Sequence, residues 1–213
     1  MNTHPHNGTN DTPPAPGLDP TPTARQVAAL LDGVHDDRLD DPTPCPDYRV
    51  RDLLTHLLGL ALAFRDAARK DLGRWTDVSP DAPDAPRPSL DGDWRAELRV
   101  RLEELAAAWR DPAAWQGMTR AGGVDLPGEV AGLVALNELL LHGWDLARAT
   151  GQPYAADDDA ARASIALLGQ QVDDADRDGS GFGPAVAVPA SASPLDRAVG
   201  LSGRDPAWAP TSG

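Results

Sequence analysis

From Thr23 the apolar positions Val27, Leu30, Leu31 and Val34 recur at i, i+3, i+4 and i+7, the spacing of one face of a helix. The run Asp40-Asp41-Pro42-Thr43-Pro44-Cys45-Pro46-Asp47 ends that helix, because its prolines remove backbone donors and force extended conformation. Asp47 is then the expected N-cap of a second helix, about Tyr48 to Asp71. Its Val50, Leu53, Leu54, Leu57, Leu58, Leu62 and Phe64 are nearly continuous, with charges confined to the ends, so it should lie at the centre of the fold. A Pro- and Asp-rich loop spans Ser79 to Pro88, and a third helix, about Asp93 to Trp109, places Trp94, Leu98, Leu102 and Leu105 on one face.

Gly117 to Val124 carries the glycines of a turn or short hairpin. Asp125 and Pro127 are expected to open a fourth helix as cap and first turn, with Gly151 closing it. A fifth helix is expected from Asp157 to about Ala175 and a short one from Leu195 to Leu201. Helices joined by loops, without a sustained alternation of apolar and polar residues, define an all-α bundle. Residues 1–22, rich in Pro, Asn and Thr, read as a disordered tail holding His4 and His6. The folded unit is expected over residues 23–208, with 209–213 frayed.

Composition narrows the function classes. The 213 residues carry a formal net charge of −14, five histidines and one cysteine, and Lys70 is the single lysine. A lone Cys45 allows no intramolecular disulfide and no Cys-rich zinc module, as expected of a chain in a reducing cytoplasm. The acidic excess argues against sequence-independent binding to nucleic acid or an anionic membrane. The longest apolar run, Leu57 to Phe64, is far short of the ~20 residues of a membrane-spanning helix. Abundant Ala, Arg, Asp, Pro and Gly beside a single isoleucine, Ile165, match a GC-rich coding background, so acidity itself carries little functional weight.

Three ionisable residues interrupt apolar helices: His56 in the second, Glu138 and His142 in the fourth. Glu138 and His142 are four apart, one turn apart on the same face. Burying a lone carboxylate is costly, and a divalent cation satisfies carboxylate and imidazole together. If the two helices are neighbours, His56 completes a two-His, one-carboxylate set with an open coordination position, as in catalytic zinc and non-haem iron sites. The alternative is a hydrogen-bonded Glu138–His142 pair beside a satisfied core histidine. The spacing Glu-x-x-x-His matches neither the Glu-x-x-His of di-iron bundles nor the His-Glu-x-x-His of zincins.

Thr43-Pro-Cys-Pro-Asp-Tyr-Arg-Val-Arg-Asp-Leu-Leu-Thr-His56-Leu-Leu-Gly and Asn137-Glu138-Leu-Leu-Leu-His142-Gly-Trp-Asp-Leu-Ala-Arg-Ala-Thr-Gly together resemble the metal-binding domain of the mycothiol-dependent maleylpyruvate isomerase family, within the DinB-like superfamily. Phe182-Gly-Pro-Ala-Val-Ala-Val-Pro and Gly203-Arg-Asp-Pro-Ala-Trp208 are similar to the tail of its single-domain metal-binding branch. The resemblance implies a DinB-like four-helix bundle holding a divalent cation through His56, Glu138 and His142: zinc first, with nickel or iron as alternatives. It also implies a small thiol of the mycothiol type as cofactor or partner, in transferase or isomerase chemistry. The isomerase's additional C-terminal domain has no counterpart expected here, which sets maleylpyruvate isomerisation itself apart. A non-catalytic metal-binding bundle, acting as sensor or interaction module, is the competing reading, and a homodimer is left open.

Other residues have two readings each. Arg148 either faces an anionic substrate or, with more weight, is a solvated helix-end arginine. Cys45 is a small residue at the start of a helix before it is a fourth ligand or redox thiol. Asp52 and Asp145 lie within a turn of His56 and His142 and either orient an imidazole or point to solvent. His35 fits a dipole partner at the end of the first helix. Asp174-Ala-Asp176-Arg-Asp178-Gly179 matches the start of an EF-hand loop, but Ala185 stands where the bidentate glutamate is required.

Overall fold

A computed structural model describes residues 18–80, 82–169 and 183–210. Helix α1 (Thr21–Leu30) starts two residues before the expected point, with Pro22 in its first turn, and buries Val27 and Leu30. His35 lies beyond the 3-10 turn that follows this helix, exposed on extended backbone, so it does not sit in the last helical turn. Helix α2 (Val50–Arg69) starts later than expected, and Asp47 is not its cap. The Tyr48 carbonyl accepts from the Thr43 hydroxyl at 2.7 Å, outside the helical ladder. Arg49 stands at the cap instead, its backbone N–H donating to Asp52 Oδ2 at 3.0 Å. Lys70 closes α2 in the left-handed region (φ 57°), and its Nζ donates to the carbonyls of Ala113 (3.0 Å) and Gln116 (2.7 Å).

Helix α3 (Trp94–Trp109) is capped by Asp93, which accepts from Ala96 N at 3.1 Å. The expected hairpin forms from β1 (Met118–Ala121) and β2 (Val124–Pro127), antiparallel, with Met118 opposite Pro127. Asp125 therefore sits in a strand rather than at a helix cap, and its carboxylate accepts from Arg120 Nε at 2.7 Å. The pairing reaches Gly128, whose N–H donates to Gly117 O at 2.8 Å, and only there does α4 (Gly128–Thr150) begin. Gly151 closes α4 with φ 70°, as expected. Helix α5 (Asp158–Leu168) is capped by Asp157, and α6 spans Pro194–Leu201. The expected continuation of the fifth helix to Ala175, the Asp174–Gly179 run, and His4 and His6 lie outside the described residues.

The fold is a helical bundle with a small two-stranded hairpin and a short C-terminal helix. α1 and α2 each pack on both α3 and α4, so α2 and α4 are neighbours. The other side of α4 carries α5, which carries α6. Beyond its exposed first turn α4 is thus packed on most of its circumference, which is why it is apolar nearly all round rather than striped: Leu139, Leu140 and Leu141 are all buried in succession. The hairpin is fixed to α2 by the Thr119 hydroxyl, which donates to Ala67 O at 2.6 Å. Among the described residues no helix is long and apolar enough to cross a membrane.

Candidate metal centre

The seam between α2 and α4 brings together the three residues expected from the sequence. Glu138 Oε2 lies 3.2 Å from His56 Nε2 and 3.2 Å from His142 Nε2. One ligand atom from each residue lies within 4.8 Å of the others, and the two imidazoles meet edge to face with centroids 4.8 Å apart. Glu138 and His142 share a face of α4 because they are one turn apart; His56 faces them because its flanks, Leu53, Leu54, Leu57 and Leu58, fill the bundle interior and turn it to the seam. Gly143 lets α1 and Tyr154 close tightly beside His142, since a Cβ there would stand 2.6 Å from Tyr154 Oη and 2.9 Å from Val27 Cγ2.

Each imidazole has a partner on its other nitrogen. His142 Nδ1–H donates to Asp145 Oδ2 at 3.0 Å, and Tyr48 Oη lies 3.3 Å from His56 Nδ1. As they stand, the Nε2–H groups donate to Glu138; a cation would take the rings with their protons on Nδ1, each Nε2 then presenting its lone pair beside the carboxylate. Burial alone would raise the Glu138 carboxyl, but hydrogen bonds from His142 and His56 hold it well below the usual carboxylate range. Burial alone would lower His142, but Asp145 and Glu138 push it up to about 9. The same two carboxylates that draw a proton onto His142 would draw a cation, so the donor set fits a divalent metal.

The centre opens on a cleft of about 1090 Å³. Phe64, Trp75, Leu126 and Val134 line it, and the C-terminal segment contributes Gly183 and Arg204. Cys45 also lines the cleft but is not one of the convergent donors. Burial pushes its thiol up to about 11, against the lowering influence of Arg204. Asp52 serves the α2 cap rather than His56, whereas Asp145 does orient His142. Arg148 follows neither expectation: its guanidinium donates to the carbonyls of Pro206 (3.2 Å) and Trp208 (2.6 Å) and lies over the Trp144 ring.

Two site residues were not singled out by sequence reasoning. Tyr48 sits in the Pro-rich motif and reads as an ordinary core aromatic, and Arg204 sits in a Gly-Arg-Asp-Pro run with no periodicity around it. The signal for Arg204 was the Gly203–Trp208 run similar to the family's tail, which marks the segment without saying what its arginine meets.

A helical bundle with a His–Glu–His cluster at one seam is the class that fold and site define. Residues 21–147 match the family model of the mycothiol maleylpyruvate isomerase N-terminal domain. The uncharacterized proteins Rv0738 (strain H37Rv) and MT0763 (strain CDC 1551) of Mycobacterium tuberculosis are each 33% identical over 148 residues, covering 68% of this chain and 74% of theirs. The chain belongs to the mycothiol maleylpyruvate isomerase N-terminal domain family. The crystal structure of the mycothiol-dependent maleylpyruvate isomerase aligns with a TM-score of 0.48 and 16% identity, over 70% of this chain and 66% of that one.

Proposed function

We propose that this chain is a divalent-metal protein of the DinB-like class that acts on a small thiol of the mycothiol type, in transferase or isomerase chemistry. The observation that carries the proposal is the convergence of His56 Nε2, Glu138 Oε2 and His142 Nε2 at the floor of a large cleft. Three protein donors leave a position for an incoming ligand, whereas a closed structural site normally uses four. A cation held there supplies Lewis acidity that favours the thiolate form of a thiol at neutral pH.

The chain's own residues do the rest. Asp145 holds a proton on His142 Nδ1, so that Nε2 is the donor atom. Tyr48 does the same for His56. Phe64, Trp75, Leu126 and Val134 give the cleft apolar walls that exclude water around a bound thiol and strengthen polar contacts at its floor. Membership of a family named for mycothiol maleylpyruvate isomerase supports a thiol partner, and zinc, nickel and iron all suit the donor set.

Metal analysis of the purified chain, cobalt substitution and titration with mycothiol test the proposal. One equivalent of metal and a change in the cobalt absorption on adding thiol are expected. Stoichiometric metal with no response to thiol would assign a sensing or interaction role instead. Failure of the metal-free protein to take up zinc, nickel, iron or cobalt would overturn the proposal.

A further inference from the structure

Among the described pairs of arginine and carboxylate, Arg204–Asp145 is the most deeply buried, with side chains 5% and 0% exposed. Arg204 Nε–H donates to Asp145 Oδ1 at 2.8 Å and Nη2–H to Asp145 Oδ2 at 2.9 Å, while Nη1–H donates to Ser202 Oγ at 3.2 Å. Asp145 Oδ2 also accepts the His142 Nδ1–H. Both carboxylate oxygens are therefore held by the guanidinium, and the plane of the carboxylate is set by a two-pronged contact. Rotating Asp145 to release His142 would break both prongs of a buried pair.

The approach of Arg204 to this position is built into the backbone. Gly203 adopts φ 84°, and a Cβ there would stand 2.7 Å from the backbone of Gly183. The turn that delivers the guanidinium thus needs a glycine on both counts. Arg204 also lies outside the residues that match the family model, 21–147, although Asp145 and the three donors lie inside them.

We propose that Arg204 is a positioning residue of the centre: by clamping Asp145 it holds the His142 ring with Nε2 toward Glu138 and His56, so that cation retention depends on the C-terminal segment. The inference rests on the metal reading given above. A purely structural ion pair would tie the segment to α4 without affecting the cation. The segment has a second tether that makes this distinction testable, the bonds from Arg148 to the carbonyls of Pro206 and Trp208.

The test uses the full chain, stripped of metal and titrated with cobalt against a competing chelator, with the visible spectrum recorded alongside. Arg204→Gln should weaken cobalt binding by about 10–100-fold, the range for loss of a partner outside the ligand set, and shift the absorption bands. Arg204→Lys should fall between the two, because an ammonium keeps the charge but not the two-pronged contact. Arg148→Gln cuts the other tether and should leave affinity and spectrum as in the wild type.

Where Arg204→Gln does not fold, the double variant Asp145→Leu/Arg204→Met carries the measurement, since removing both charges relieves the unpaired carboxylate. It should fold yet bind cobalt as weakly as expected of Arg204→Gln, because His142 Nδ1–H has lost its acceptor. Wild-type affinity and spectrum in Arg204→Gln or in the double variant overturn the proposal. So does an equal loss in Arg148→Gln, which would assign the effect to the segment as a whole. A wild-type chain that takes up no cobalt fails earlier and defeats the metal reading itself.

Discussion

The two histidines of the centre stand in opposite surroundings. His142, on α4, is 6% exposed and leans on a fully buried aspartate that is itself held by Arg204. His56, on α2, has a side chain 13% exposed against 8% for that of His142, shares the cleft with it, and faces a half-buried phenol across 3.3 Å. One donor is braced by a chain of charges and the other by a neutral hydroxyl. The difference teaches that three candidate ligands equal on paper are unequally braced: the α4 histidine by a charged chain, the α2 histidine by one hydroxyl.

The largest expected contrast is in stability without metal. His142→Ala removes an imidazole lodged between two carboxylates and should cost ~3 kcal/mol, the scale of breaking a buried charged pair. His56→Ala loses contacts at the cleft floor and should cost ~1 kcal/mol, the scale of one ordinary hydrogen bond. Urea denaturation of both variants in chelator checks the pair, and equal losses would erase the distinction between the two sides.

A second contrast is in pH. His142 is raised from 6.5 to about 9 in the folded, metal-free chain, so its protonated form stabilises the fold. That contribution is fully present below about 6.5 and disappears as the pH rises through about 9. Urea midpoints of the metal-free chain should therefore decline across this window, and the decline should vanish in His142→Ala. A flat profile in the wild type would mean that the carboxylates around His142 are not charged as the geometry requires.

The smallest effect belongs to Tyr48→Phe. Loss of the hydroxyl removes one long hydrogen bond and should lower metal affinity by less than ~10-fold, below the usual range for an outer partner. The same variant should leave unfolding within ~1 kcal/mol of the wild type. A loss as large as that expected of Arg204→Gln would make the two histidines equivalent after all.

Most of this centre was legible in the chain. Polar residues inside apolar helices mark His56, Glu138 and His142, because a buried charge without a partner would not be tolerated there. The helix boundaries were less legible where side chains and strands compete with the helical ladder. Thr43 ties the Tyr48 carbonyl to the Pro-rich entry rather than to α2, and the pairing of β1 with β2 holds Asp125 in a strand. Neither effect has a periodicity to betray it. Arg204 was illegible for a related reason: its partner lies far away in sequence, and only the folded chain brings the two together. Arg148 reads as a surface cation at a helix end, yet it spends its donors on backbone carbonyls of the tail.

The position of α4 has a consequence for hydrogen exchange. A helix packed by α1, α2, the hairpin and α5 on every side but the cleft has little local opening available to its middle turns. The amides around Glu138 and His142 should therefore be among the slower ones to exchange with solvent deuterium. Two of the three candidate donors should thus report, through their exchange rate, on the stability of the bundle rather than on local fraying.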